Sequence, residues 1–403
     1  MMKNVLFLLD YYLPNASANG ICIAKVVDEF KKKGVNVSLL CLSDKTETAV
    51  RDGVKIYKVS EPPRKKKTLL SAIGFYAKWL LPTKYPVTAR KPTVKLFLRE
   101  ARKIVVADGI DTLVSVHLPG ETLIAAGTLK KEFPQLCTVA YMLDSLSGGF
   151  LPKFLPSSFC RRKKVRWENR LLAPFDRIVL MESSRAHHEK YSKRAAWYQK
   201  ATFLDVPALV PADEPTLKKE RENGETVFSF VGTMSDGVRT PYALLKVLSA
   251  VTDQPIRFVI AGKNGCGDLH ALLGDKSSVV LDVRGEIPYE QAQQLLADSD
   301  VLVNLGNVNP YLVPSKIFEY MSCGKPIVTT YTCDTDSSLP YLEKYPAVCF
   351  IDERDTDFAK NAARLALFIK ENRQKTVPFA SLARELYTNT PAALYDLLSS
   401  KNE

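Results

Sequence analysis

The sequence predicts an α/β protein built on two open, parallel sheets, one in each half of the chain. Three observations predict it. Short apolar runs alternate with amphipathic stretches, most regularly beyond residue 225. Runs such as Val227-Phe228-Ser229-Phe230-Val231 and Val301-Leu302-Val303 lack the polar alternation of a half-exposed strand, as expected when helices cover both sheet faces. A proline-rich stretch from Val206 to Pro215 can continue neither a helix nor a central strand, and so separates the halves. With 403 residues, 46% of them apolar, the chain exceeds the usual size of one domain and can bury two cores.

In the first half, Val5–Leu9 reads as a strand, 18–33 as a helix and Val37–Cys41 as the next strand. Strand 112–117, helix 120–133, strand 137–143, a helix through about 161–173 and strand 178–182 follow. The second half reads as strand 226–231, helix near 240–251, strands 256–261 and 279–284, helix 289–298, strand 301–305, helix 314–322 and strand 326–331. The last segment, Pro378 to Ser399, is amphipathic and helical apart from Asn389-Thr390-Pro391. The expected division is 1–206, 207–377 and a closing segment 378–403 that returns to the first domain.

Composition narrows the class. The apolar run Val5–Leu9 ends at Asp10, too short for a secretory signal core or a membrane span, so a soluble cytoplasmic protein is expected. Eight cysteines, at 22, 41, 137, 160, 266, 323, 333 and 349, show no paired metal-ligand spacing and read as buried free thiols. The formal net charge of +12 admits an anionic ligand, an acidic membrane surface or nucleic acid. No nucleic-acid module accompanies it, so nucleic acid is not expected as a partner. The dense basic runs are Arg64-Lys65-Lys66-Lys67 and Arg161-Arg162-Lys163-Lys164. The first precedes Leu69, Leu70, Ile73, Phe75, Tyr76, Trp79, Leu80 and Leu81. Segments 64–81 and 161–164 are therefore read either as an anionic membrane surface contact, peripheral at the inner membrane face, or as solvated charge beside a core helix.

Ligands of open parallel sheets bind at the carboxyl ends of the strands. The richest stretch there is Val313-Pro314-Ser315-Lys316-Ile317-Phe318-Glu319-Tyr320-Met321-Ser322-Cys323-Gly324-Lys325-Pro326. Proline suits a first helical position, and the amides of Ser315 and Lys316 then stand at the positive end of the helix dipole, where anions bind. Ser315, Lys316 and Glu319 share one polar face, while Gly324 permits a left-handed stop. After the strand ending at Val231, Gly232 lets backbone approach a ligand and Arg239 offers a permanently charged plane suited to a diphosphate; the alternative is a surface arginine. Lys263, after Ile260-Ala261-Gly262, has the same standing. The loop Asp10 to Gly20 is a ligand loop containing Asn19 and Gly20, or a structural turn. His117 ends its strand and would project at a rim, as a functional or a structural histidine; His187 and His188 read as surface. Asp334-Thr335-Asp336 and Asp355-Thr356-Asp357 are more simply turn and helix-start residues than a metal site, and no zinc cluster, serine elbow or Cys–His pair stands out.

From Gly285 to Pro288, Ser299 to Asn307, Val313 to Tyr320 and Gly324 to Ile327 the chain resembles GT-B glycosyltransferases of family four, with the first domain similar in outline. That resemblance implies two Rossmann-like domains facing each other across a cleft, the first binding the acceptor, the second the sugar nucleotide, with the final helix returning to the first. It implies a retaining transfer of a hexosyl group from a nucleotide-diphosphate sugar to a glycan or lipid-linked glycan in polysaccharide biosynthesis, with no metal and no cofactor beyond the donor. Glu319 would hold the ribose hydroxyls, Lys316 and Arg239 the diphosphate, the Pro314-Ser315 backbone the leaving phosphate, His117 the reacting sugar, and Asn19 and Gly20 the donor phosphates. Two positions depart from the family pattern: Tyr311 stands eight residues before Glu319 where a first glutamate is usual, and Thr233 follows Gly232 where an arginine is common. Asn304 and Asn307 are the substitutes for sugar contacts, since an amide pairs with hydroxyls both ways. A GT-B nucleotide-sugar epimerase and a non-catalytic partner subunit are the alternative readings.

Overall fold

The computed structural model describes residues 2–14, 16–63, 69–212, 224–252, 254–273, 279–308 and 313–400, with only the backbone for 69–72. The basic run at 64–67, the end of the proline-rich stretch and Tyr311 lie outside the described residues. The chain forms two compact units, Met1–Pro207 with Thr388–Glu403, and Ala208–Tyr387.

The first unit runs β1 (Asn4–Leu8), α1 (Ala18–Lys32), β2 (Asn36–Ser43), β3 (Glu47–Arg51), β4 (Val54–Ser60), α2 (Leu69–Leu80), α3 (Lys91–Ala107), β5 (Thr112–His117), α4 (Gly120–Glu132), β6 (Cys137–Met142), α5 (Ser157–Leu172), β7 (Arg177–Met181), α6 (Arg185–Tyr191) and β8 (Ala201–Leu204). Among the described residues its sheet has the order β3-β4-β2-β1-β5-β6-β7-β8, parallel except for the β3–β4 hairpin. Asp52 and Gly53 both take positive φ at that hairpin, the Asp-Gly turn that twists with its strands. Along β1 the side chains alternate between two cores. Leu6 and Leu8 face a cluster with Phe97, Leu123 and Trp167, while Val5 and Phe7 face one with Ile23, Phe30 and Leu394. Covered on both faces, the strand must be apolar throughout, and burying each such side chain stabilises the fold by about 1.5–3 kcal/mol.

The second unit runs β9 (Thr226–Val231), β10 (Met234–Ser235), α7 (Tyr242–Ser249), β11 (Ile256–Ala261), β12 (Asn264–Gly265), β13 (Val279–Gly285), α8 (Tyr289–Asp298), β14 (Val301–Asn304), α9 (Lys316–Ser322), β15 (Ile327–Tyr331), α10 (Leu339–Leu342), β16 (Val348–Asp352), α11 (Phe358–Asn372) and α12 (Phe379–Glu385). Its main sheet is wholly parallel, in the order β13-β11-β9-β14-β15-β16, with β10 and β12 pairing separately. Lys325 is buried and donates to the carbonyls of Leu296, Ala297 and Ser299, closing the C-terminal end of α8.

The returning segment starts later than Pro378. Leu382 and Leu386 of the α12 region are buried in the second unit, and the chain rejoins the first unit at Thr388. Helix α13 (Pro391–Ser399) then lies beside α1, with Tyr395 edge-on to Phe30 at 5.5 Å between ring centroids. Arg177 donates to the carbonyls of Leu397 and Ser400 at its far end.

Candidate active site

Three loops at the carboxyl edge of the second sheet are locked together. Gly262 has a φ of +131°, and a Cβ there would stand 2.0 Å from the Gly232 carbonyl oxygen, so the turns after β9 and β11 touch only because Gly262 lacks a side chain. The Met234 amide donates to Lys263 at 2.9 Å across the same junction. The loop after β14 joins them through Val308, whose amide donates to Val238 at 2.9 Å. Gly306 donates to the Thr330 hydroxyl at 2.9 Å, and Thr330 donates to Glu353 at 2.6 Å. Burial raises the Glu353 pKa.

Arg239 is fixed on this platform. Its Nε and Nη2 donate to Asn307 Oδ1 at 3.1 and 2.8 Å, which sets the plane of the guanidinium. Burial lowers its pKa, while Tyr320 and the buried Asp336 pull the other way. Asp336 Oδ1 in turn accepts from Ser338 N and Oγ at 2.8 and 2.7 Å. An arginine stays charged under such burial, so the loops hold an oriented cation at the sheet edge.

Helix α9 is seven residues long and begins at Lys316, two positions after the expected start. Pro314 lies outside it and Ser315 is the N-cap residue, without a side-chain cap bond. The approach is wound more tightly, with Ile317 and Phe318 donating to Pro314 and Ser315 at 3.2 Å. Ile317, Phe318, Tyr320 and Met321 are buried, leaving Lys316 and Glu319 partly exposed with Nζ and Oε2 3.8 Å apart. The buried Tyr320 hydroxyl accepts from Val231 N at 3.2 Å and donates to Val231 O at 3.3 Å. It pins α9 to the end of β9, beside the turn that leads to Arg239. From sequence Asp336 reads only as a turn residue and Tyr320 carries no role, because an aromatic on a helix face and an aspartate in a turn give no signal of their partner.

Two expected contacts take other roles. Asn304 is buried inside the sheet, donating to Thr329 Oγ1 at 2.9 Å, so it belongs to the β14–β15 pair rather than to a ligand. Asn307 is likewise buried and orients Arg239. Lys263 is exposed and Gly232 half-buried at the same edge.

In the first unit, the loops after β1 and β5 meet: Asn19 Nδ2 donates to the Leu118 carbonyl at 3.3 Å. The Gly20 amide is taken up by the N-cap Ser17 at 3.0 Å, and a Cβ on Gly20 would lie 2.1 Å from the Tyr11 carbonyl oxygen. Gly20 thus serves close packing at the start of α1. His117 does not project at a rim. It is 1% exposed, and neither ring nitrogen has a hydrogen-bond partner among the described residues. Burial, reinforced by the Lys164 charge and opposed by the Pro119 backbone, lowers its pKa to about 3. His188 is also buried rather than on the surface, 3.7 Å from the buried Glu168, and His187 Nε2 lies 2.8 Å from Ser147 Oγ.

The run 161–164 is largely engaged internally. Arg161 donates to the Ser147 carbonyl, Lys163 to those of Lys78, Trp79 and Leu81 at the end of α2, and buried Lys164 to Phe150 at 3.0 Å. Among the described residues no three His, Cys, Asp or Glu side chains gather as a metal group, and no helix is long and apolar enough to cross a membrane. Four of the eight expected buried thiols, Cys22, Cys137, Cys323 and Cys333, are only half-buried.

Residues 225–366 match the family model described as Glycosyl transferases group 1. All of the matched residues lie within the second unit. Solved structures show that the chain as a whole has the GT-B fold of two Rossmann-like domains. The lipopolysaccharide outer core galactosyltransferase WaaB is similar at 13% identity and a TM-score of 0.55, covering 98% of each chain. A glycosyltransferase from Rickettsia africae ESF-5 gives 10% and 0.58, over 99% of this chain and 100% of that one. A structure described as Trehalose-6-phosphate from E. coli bound with UDP-2-fluoro glucose gives 12% and 0.55, over 100% of both. No curated protein matches the sequence. The matched residues run from β9 into α11 and so include Arg239, Asn307 and all of α9.

Proposed function

We propose that this chain is a retaining hexosyltransferase that moves a sugar from a nucleotide-diphosphate sugar to a glycan or lipid-linked glycan acceptor in polysaccharide biosynthesis. The second unit takes the donor and the first the acceptor. The observation that carries the reading is the fixed Arg239, oriented by Asn307 and set beside an α9 that Tyr320 pins to the same strand end. When the bond between the anomeric carbon and the diphosphate oxygen breaks, negative charge grows on the leaving diphosphate. Groups already oriented toward that charge lower the barrier more than they tighten ground-state binding. Arg239 and Lys316 supply the cations, the backbone at Pro314-Ser315 faces the leaving phosphate, and Glu319 grips the ribose hydroxyls. Lys263 lies at the rim, and Gly232 keeps the strand end open to the ligand. We propose that these fixed cations, rather than a bound metal, meet the charge.

In the first unit, His117, buried at the end of β5, is proposed as the contact to the reacting sugar on the family resemblance alone, with Asn19 tying the neighbouring loop to Leu118. The solved neighbour with UDP-2-fluoro glucose bound and the lipopolysaccharide galactosyltransferase support this donor and acceptor class. The working place is the cytoplasm, at the inner membrane face. The test is transfer and donor hydrolysis by purified protein against a panel of sugar nucleotides. Turnover with one donor should fall about 100-fold or more in Glu319→Ala and Lys316→Ala. Unchanged turnover in both would contradict the assignment, and an isomerised donor without acceptor would make the chain an epimerase.

A further inference from the structure

Residues 62–99 and 145–166 contain no aspartate or glutamate, while Lys78, Lys84, Lys153 and Arg162 stand exposed within them. In the same two stretches large apolar side chains face outward. Phe150 and Phe154 are each 81% exposed, and Ile73, Leu80 and Leu81 are also exposed.

The outward rings are held in place by what lies behind them. The carbonyl of Phe150 is held by buried Lys164 at 3.0 Å, and that of Ser147 by Arg161. Leu151 and Leu155, each following one of the phenylalanines, turn inward against the core. The loop therefore buries one face and presents the other. It continues into α2: the Phe154 ring stands edge-on to Tyr76 with centroids 5.7 Å apart, and Trp79 packs on Trp167 at 5.0 Å. Lys163 closes the C-terminal end of α2 from α5. Two segments about seventy residues apart thus meet in one apolar surface, and neither stretch carries an acidic side chain of its own.

We propose that this surface, formed by loop 149–155 and the outer side of α2, docks on an anionic lipid bilayer, with Phe150 and Phe154 entering the interface and Lys78, Lys153 and Arg162 meeting the headgroups. Aromatic rings favour that boundary, and basic side chains beside them add attraction to acidic headgroups. The contact is carried by the loop before α5 and not by the Arg161–Lys164 run, three of whose four cations are engaged within the protein. The inference stands without the glycosyl-transfer reading.

The test is co-sedimentation of the full chain with vesicles of phosphatidylcholine alone and of phosphatidylcholine with phosphatidylglycerol, at low and high salt. Wild type should pellet with the anionic vesicles at low salt and be released by high salt. Phe150→Ser combined with Phe154→Ser should lower partitioning about tenfold or more while leaving the melting temperature unchanged, since both rings are outside the core. Lys153→Glu should weaken binding as an independent variant. The proposal is overturned if wild type stays in the supernatant, if neutral vesicles bind it equally, or if the double variant pellets like wild type. A concentration-dependent dimer that the double variant abolishes would also overturn it, giving the surface to a second copy of the chain.

Discussion

Asn304 and Asn307 lie three residues apart at the end of β14, and the fold gives them opposite tasks. Asn304 ends the strand inside the sheet, bonded to Thr329, and Asn307 sits one turn of loop further on, accepting two bonds from Arg239. Their substitutions should therefore separate. Asn304→Ala should cost about 1–2 kcal/mol of stability through a buried partner left unsatisfied, yet shift the donor KM less than about twofold. Asn307→Ala should lower kcat/KM about tenfold by releasing the guanidinium, with a smaller change in unfolding midpoint. Steady-state kinetics beside urea unfolding reads both, and equal effects of the two variants would break the distinction. From sequence both asparagines read as sugar contacts in the loop before α9, whereas Asn304 is the last residue of β14. Sequence could not tell them apart, because direction along a strand end depends on which neighbouring strand supplies the hydroxyl.

At the scale of elements, the helix α5 carries a buried polar network that the first unit depends on. Glu168 accepts from the Ser147 amide at 3.0 Å and from its hydroxyl at 2.5 Å, with His187 and His188 alongside. Burial lowers the pKa of His117 to about 3 and of His187 and His188 to about 4, with nearby lysine or arginine charges acting in the same direction on His117 and His187, and His187 on His188. A histidine whose folded pKa lies below its ordinary 6.5 adds stability that is complete above 6.5 and is lost as pH falls toward the folded value. Glu168, raised by burial, acts oppositely, gaining stability as pH falls through its folded value toward 4.5, so it offsets part of the loss from the three histidines inside this window. The melting temperature should thus fall steadily from pH 7 toward pH 4.5, and His188→Gln should flatten that slope. A melting temperature flat between pH 7 and 5 in wild type would refute this. The strands around the network were legible as apolar runs, whereas α3 and the β3–β4 hairpin were not read, although Pro92 and the Asp52-Gly53 pair mark them. In those elements the exposed faces are charged, which dilutes the periodic signal.

For the whole molecule, the chain crosses from the second unit back to the first at Thr388, and α13 then completes the core that contains Phe7 and Phe30. The proline-rich boundary near 207 and the amphipathic tail were visible in sequence. The exact crossing was not, because α12 and α13 are both amphipathic and only packing distinguishes their hosts. Leu394 is fully buried against α1, so Leu394→Ala should destabilise the first unit by about 2–4 kcal/mol, read as an earlier calorimetric transition. A transition unmoved by this change would mean that the last helix does not stabilise that core.

The measurement closest to the central claim, that α9 and Arg239 receive a nucleotide diphosphate, is calorimetric titration of the purified chain with UDP, GDP and ADP, repeated on Glu319→Ala and Arg239→Ala. At least one nucleotide should bind wild type, with affinity reduced about tenfold or more in each variant. No heat from any of the three, or equal affinity in wild type and both variants, would contradict the account.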